Sequence, residues 1–133
     1  MIEDEELVRR AASVVNPRRL SDCVEVGGVG CALVTDRGNV YVGVCIDTAS
    51  SMGFCAEHNA IGNMITNGES RIAAIVAVNW DRARILSPCG RCRELIYQVN
   101  FDNAATKVIL PGGRTKTLQE LLPDHWLAPA HQE

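Results

Sequence analysis

An α/β fold, a sheet covered by helices, is what the sequence predicts, and three observations carry that expectation. Segments with helical spacing of apolar residues alternate with short β-rich runs. A turn-forming Asp36-Arg37-Gly38 separates two of those runs, as in a hairpin. Residues 72–78 read IAAIVAV, a continuous apolar stretch suited to a strand buried on both faces.

Taken in order, residues 3–15 predict the first helix, with Leu7, Val8, Ala11, Ala12 and Val15 on one face. Asn16-Pro17 ends it, because a residue before proline is pushed out of the helical region. Two strands follow, at 29–35 and 39–45, and then the small, polar loop 47–53. A second helix spans 55–67, with Ala56, Ala60, Ile61, Met64 and Ile65 facing inward and Gly68 past its end. The apolar strand lies within 71–80, and Pro88 precedes a helix over 89–99. A strand at 106–110, a turn at Gly112-Gly113 and a short helix at 117–122 complete the order α-β-β-α-β-α-β-α. The first two strands should pair antiparallel. The later ones, each reached through a helix, should run parallel.

The 133 residues suffice for one domain, 1–133, with a core of its own. A net charge of −3 and 5% aromatic residues argue against a nucleic-acid partner, and the pairs Arg9/Arg10 and Arg18/Arg19 read as solvated surface. No run of 18 apolar residues predicts a membrane span, and MIEDEELVRR lacks the basic-then-apolar pattern of a secretory signal. A cytoplasmic, reducing location is therefore expected, where clustered cysteines point to metal or catalysis before disulfides.

Cys89-Gly90-Arg91-Cys92 places two thiols at i and i+3 on a predicted helix start. Unpaired backbone N–H groups and the positive helix end favour thiolate there, the form that binds zinc. Alone, the motif also fits a redox pair, half of a structural zinc site, or two core cysteines. Cys55-Ala56-Glu57 opens a second predicted helix and adds a third thiol. Three thiolates leave the fourth corner of a tetrahedron open for water, as a catalytic zinc site requires. Glu57, two residues past Cys55, is placed to move protons without binding the metal. Cys-x-Glu followed by Pro-Cys-x-x-Cys is the signature of zinc nucleobase deaminases. Of the other cysteines (Cys23, Cys31 and Cys45), two lie in apolar strands and read as core.

With CAE at 55–57, ILSPCGRCRE at 85–94 and Leu121-Leu122-Pro123, the chain resembles the small cytidine deaminases and the related blasticidin S deaminases from about residue 29 to 126. The resemblance implies a three-layer α/β/α sandwich with a mixed five-stranded sheet, and a homotetramer whose subunits help to close each other's active sites. It implies one zinc ion per chain on Cys55, Cys89 and Cys92, with Glu57 as the proton shuttle. The substrate is then a cytosine nucleoside, cytidine or deoxycytidine, deaminated in pyrimidine salvage. The alternatives are blasticidin S or another modified nucleoside and, from a different class, a thiol redox protein using Cys89 and Cys92.

The same resemblance places Cys45, Asp47, Ala56 and Trp126 at the substrate. Trp126 stands where the nucleoside enzymes carry a phenylalanine that closes over the base; a C-terminal packing anchor is the other reading. Three departures mark the chain. Cys45-Ile46-Asp47 replaces an Asn-x-Glu pair that reads ribose, and Gly27 replaces an aromatic residue. His58 replaces an arginine that donates to the thiolates, a role that His58 and Arg91 are the candidates to take over as charge balance.

Overall fold

The computed structural model describes residues 1–127. Helix α1 (Asp4–Val14) turns Leu7 and Ala11 inward and opens with Asp4, Glu5 and Glu6, acidic residues that suit its positive end. Strand β1 (Arg18–Arg19) is followed by the long β2 (Glu25–Thr35) and β3 (Val40–Asp47), joined through the expected turn. Gly38 occupies that turn at φ +83°, a conformation glycine adopts without steric cost. After the loop come α2 (Ala56–Thr66), β4 (Ile72–Asn79), β5 (Ile85–Leu86) and α3 (Gly90–Val99). A 3-10 turn at Phe101–Ala105 then leads to β6 (Lys107–Ile109), β7 (Thr115–Thr117) and α4 (Leu118–Leu121).

Strands β3, β2, β4, β6 and β7 lie side by side. The two-residue strands β1 and β5 extend this sheet along the ends of β2 and β4, so it has seven strands, not five. The expectation of parallel later strands holds only between β4 and β6. The chain leaves β3, crosses through α2 and inserts β4 beside β2, so β4 meets an antiparallel neighbour although it runs in the direction of β3. The β7 strand was not anticipated. Residues 111–113 reverse the chain into a hairpin, and Leu110 N–H donates to the Arg114 carbonyl at 2.7 Å.

Alternation along the strands separates two cores. Ala32, Val34, Ala74, Val76 and Val78 meet Leu7 and Ala11 of α1 on one face. Cys31, Leu33, Cys45, Ile75 and Val108 meet Ala60, Ile61, Met64 and Ile96 of α2 and α3 on the other. The result is the expected three-layer α/β/α sandwich. Two glycines set how closely the layers approach. A Cβ on Gly30 would lie 2.3 Å from the Ala11 carbonyl oxygen of α1, and one on Gly43 would lie 2.5 Å from the Ala60 nitrogen of α2.

Candidate metal centre and active site

The α2 and α3 helices begin with the proposed ligands as their N-caps. Cys55 and Cys89 share an extended conformation, φ −70° and ψ 159° and 169°. Neither thiol caps its own helix, which leaves both sulfurs free to face a common point. A two-bond bridge between Ile46 at the end of β3 and Phe54 fixes the approach to Cys55. Arg93 fixes the approach to Cys89: its guanidinium donates to the Pro88 carbonyl at 2.9 Å and to the Leu121 carbonyl at 3.1 Å. Arg93 is thereby a scaffold residue of the α3 start.

The three thiols converge. Cys55 Sγ stands 3.6 Å from Cys89 Sγ, which stands 3.4 Å from Cys92 Sγ, and all three lie within 4.8 Å of one another. Cys92 is buried, Cys55 half-buried and Cys89 exposed. Burial pushes the Cys55 thiol up, and pushes Cys92 well up with help from the Glu57 charge. Burial acts on Cys89 too, but the backbone N–H of Cys92 and the thiols of Cys92 and Cys55 outweigh it and hold Cys89 below its ordinary value. Three soft sulfur donors at this spacing fit a zinc ion. The carboxyl of Glu57, 5% exposed, is raised by burial against the pull of its own backbone N–H and the Cys92 thiol. It lines a cavity of about 10 Å³, the room of a single water, with Ala77, Leu86 and Pro88.

Residues 1–108 match the family model described as the cytidine and deoxycytidylate deaminase zinc-binding region. The chain belongs to this family. Among its zinc-binding deaminase relatives, a blasticidin-S deaminase of Bacillus cereus is 36% identical over 104 residues, 71% of this chain and 74% of that one. A cytidine deaminase of Sporosarcina psychrophila is 35% identical over 100 residues, 71% of each chain. The solved cytidine deaminase of Mycobacterium leprae superposes with a TM-score of 0.77 at 28% identity, covering 93% of this chain and all of that one. An E47D mutant cytidine deaminase of Mycobacterium tuberculosis gives 0.79 at 26% identity, over 95% and 96%.

For a zinc-binding deaminase of this family, the remaining candidate residues fall in two groups. Ala56, fully buried, opens α2 between Cys55 and Glu57. Cys45 is buried in β3, where its sulfur accepts the Val29 N–H at 3.2 Å and lies 3.9 Å from the Asp47 carboxylate. Asp47 is exposed at the end of β3, beside Gly53 of the loop that enters α2. Ala56 thus adjoins the ligand Cys55 in the chain, while Cys45 and Asp47 lie together at the end of β3.

The others stand apart from these three. His58 and Arg91 line an open groove of about 590 Å³ along the outer face of α2, with Asn59, Asn63 and Thr66. The His58 Nε2 atom is buried without a partner, and burial followed by the Arg91 charge lowers its pKa. Arg91 donates to the Gly53 carbonyl at 3.4 Å. No hydrogen bond joins either residue to a thiol. Trp126, 70% exposed, donates to Glu94 Oε2 at 3.2 Å. That carboxylate also takes His125 Nε2 at 2.8 Å, and His125 packs edge-on against Tyr97. Glu94 lies about half a turn round α3 from Cys92, so Trp126 is anchored on the face away from the chain's own thiols. Sequence reading missed this His125–Glu94 anchor.

Proposed function

We propose that the chain catalyses hydrolytic deamination of a cytosine nucleoside, cytidine or deoxycytidine, releasing ammonia and the uracil nucleoside. The observation that carries this is the buried Glu57 carboxyl set among three converging thiols, in a chain of this deaminase family. Cys55, Cys89 and Cys92 are the residues that would hold zinc, one ion per chain. A zinc ion on three thiolates supplies Lewis acidity, which makes water a stronger acid at neutral pH.

Glu57 performs the proton transfers. It accepts the proton of the attacking water and delivers it to the adjacent ring nitrogen. It then helps the exocyclic amine leave as ammonia, so that C–O replaces C–N at the same carbon. Its burial suits this role, since a raised pKa keeps a carboxyl ready to hold a proton between transfers. Arg91, between Cys89 and Cys92 at the start of α3, offsets part of the negative charge of a three-thiolate centre through space, whereas the lowered pKa of His58 favours its neutral form.

The exposed Trp126, held away from its own thiols, supports a homotetramer in which a neighbouring subunit receives it. Light scattering on the purified protein tests that assembly. Pyrimidine salvage in the cytoplasm is the corresponding role.

Glu57→Ala should retain zinc at the wild-type level and lose at least about a thousandfold in turnover. Metal analysis and the ultraviolet change on converting cytidine check both halves. Full activity in that variant overturns the mechanism. A second substrate reading, a modified nucleoside such as blasticidin S, is favoured by one feature. Cys45 spends its sulfur on Val29 and offers no amide to a ribose. Zinc-loaded protein that leaves cytidine unchanged moves the assignment to that reading.

A further inference from the structure

Asn79 ends β4, on the face that builds the proposed active site. Two residues before it, Ala77 lines the cavity shared with Glu57, and four before it, Ile75 belongs to the core under α2 and α3. Strand alternation puts Asn79 next on that face, one step outward. It is paired with Val29, whose N–H is held by the sulfur of Cys45. Cys45, Val29 and Asn79 are thus linked across three adjacent strands by that bond and that pairing, one step along from the Cys31–Ala77 pair, whose Ala77 lines the cavity with Glu57.

The Asn79 side chain carries little of the local structure. The residue is 7% exposed, and its Nδ2 donor is buried without a partner. The turn into β5 is closed by main chain: Asn79 N–H donates to the Arg84 carbonyl at 2.8 Å, and Arg82 N–H to the Asn79 carbonyl at 2.8 Å. The Asp81 carboxylate in that turn is held by the backbone N–H groups of Ala83 and Arg84, each at 3.0 Å. The Asn79 amide is the weakest of the groups that lower Asp81. An unmade hydrogen bond on a buried donor is destabilising. A fold tolerates such a group chiefly where function uses it.

We infer that Asn79 is a specificity-determining residue that donates from Nδ2 to an acceptor oxygen of the nucleoside, supplying from β4 the amide that Cys45 lacks on β3. The inference rests on the deaminase reading of the site. It assigns Asn79 to binding, leaving the proton chemistry with Glu57.

Zinc-loaded wild type, Asn79→Ala and Asn79→Asp are compared in cytidine kinetics, in calorimetric binding of uridine, in zinc content and in melting temperature. Asn79→Ala should raise KM and the uridine Kd about tenfold and change kcat less than about threefold, with zinc retained. Its melting temperature should stay within a few degrees of wild type, because the lost donor has no hydrogen-bond partner within range and only a weak interaction with the Asp81 carboxylate. Asn79→Asp keeps the volume and loses the donor, so it should bind uridine at least as poorly, and it serves as the test if Asn79→Ala does not fold. Unchanged KM and Kd in either folded variant overturn the role of Asn79. So does a drop in melting temperature with no change in binding. Wild-type protein that binds uridine without converting cytidine overturns the substrate reading and leaves Asn79 to be judged on Kd. Wild type that does neither overturns both.

Discussion

Glu69 shows how a single carboxylate ties three segments together. Its Oε2 accepts from the Tyr41 hydroxyl at 2.6 Å and from Asn39 Nδ2 at 2.9 Å, and so joins the β2–β3 hairpin to the start of β4. The Tyr41 hydroxyl first, then Thr35, hold its carboxyl below the ordinary glutamate range, and Asn39 adds to this against the effect of burial. A carboxyl whose pKa is lower folded than unfolded stabilises the fold above the unfolded value and loses that contribution as pH falls through the folded one. Glu69→Gln keeps the shape and removes the charge. Its melting temperature should lie below that of wild type at neutral pH, and the gap should close in acid. A gap that is constant from pH 7 to pH 3 contradicts the assignment. Site residues were legible at this scale where chemistry forces a spacing. The convergence of Cys55, Cys89 and Cys92 could be read off because metal ligands need fixed positions on helix starts, and the proposed proton shuttle Glu57 follows from its spacing to Cys55. The buried, unpartnered amide of Asn79 and the His125–Glu94 contact could not, since each depends on surroundings assembled only by the fold.

The decisive contact between elements is the one that seats α2 on the sheet. Gly43 lets the backbone of α2 come within reach of β3, and Asn59 Nδ2 then donates to the Val44 carbonyl at 3.0 Å. Since Cys55 occupies the N-cap position of this same helix, a shift of α2 moves one ligand against the other two. Gly43→Ala should cost about 1–3 kcal/mol in stability, the range for overpacking a tight contact. It should also weaken zinc retention, both measurable by denaturant titration and competition with a chelator. Zinc retained with wild-type affinity in a destabilised variant separates the helix seat from the metal site. The helices and the two long strands were readable because amphipathic spacing and the Asp36-Arg37-Gly38 turn are local signals. Strands β1, β5 and β7 were not, because two or three residues carry no periodicity. Their pairing depends on the edges that β2, β4 and β6 offer them.

Taken whole, the molecule has α2 and α3 packed on one face of the sheet, with their N-termini meeting at the thiols. A metal ion there is a crosslink between segments distant in sequence, and binding it only in the folded state adds to stability. Stripping the zinc should therefore lower the melting temperature by on the order of 10 °C, with most secondary structure retained in circular dichroism. An unchanged melting temperature contradicts metal binding that favours the folded state. The layering was legible from the order of elements; the insertion of β4 beside β2 was not, because strand order is a property of the assembled sheet.

The unequal exposure of the cysteines has a practical consequence for anyone handling the protein. Cys23 and Cys89 are exposed, Cys55 is half-buried, and Cys31, Cys45 and Cys92 are buried. A chromogenic disulfide reagent should therefore label the metal-free protein rapidly at Cys23 and Cys89 and more slowly at Cys55. With the ligands engaged, only Cys23 should react quickly. The number of fast-reacting sulfurs becomes a gauge of metal occupancy that needs no substrate, and oxidation at Cys89, exposed and held below its ordinary thiol pKa, becomes the first damage suffered by protein stored in air without its ion.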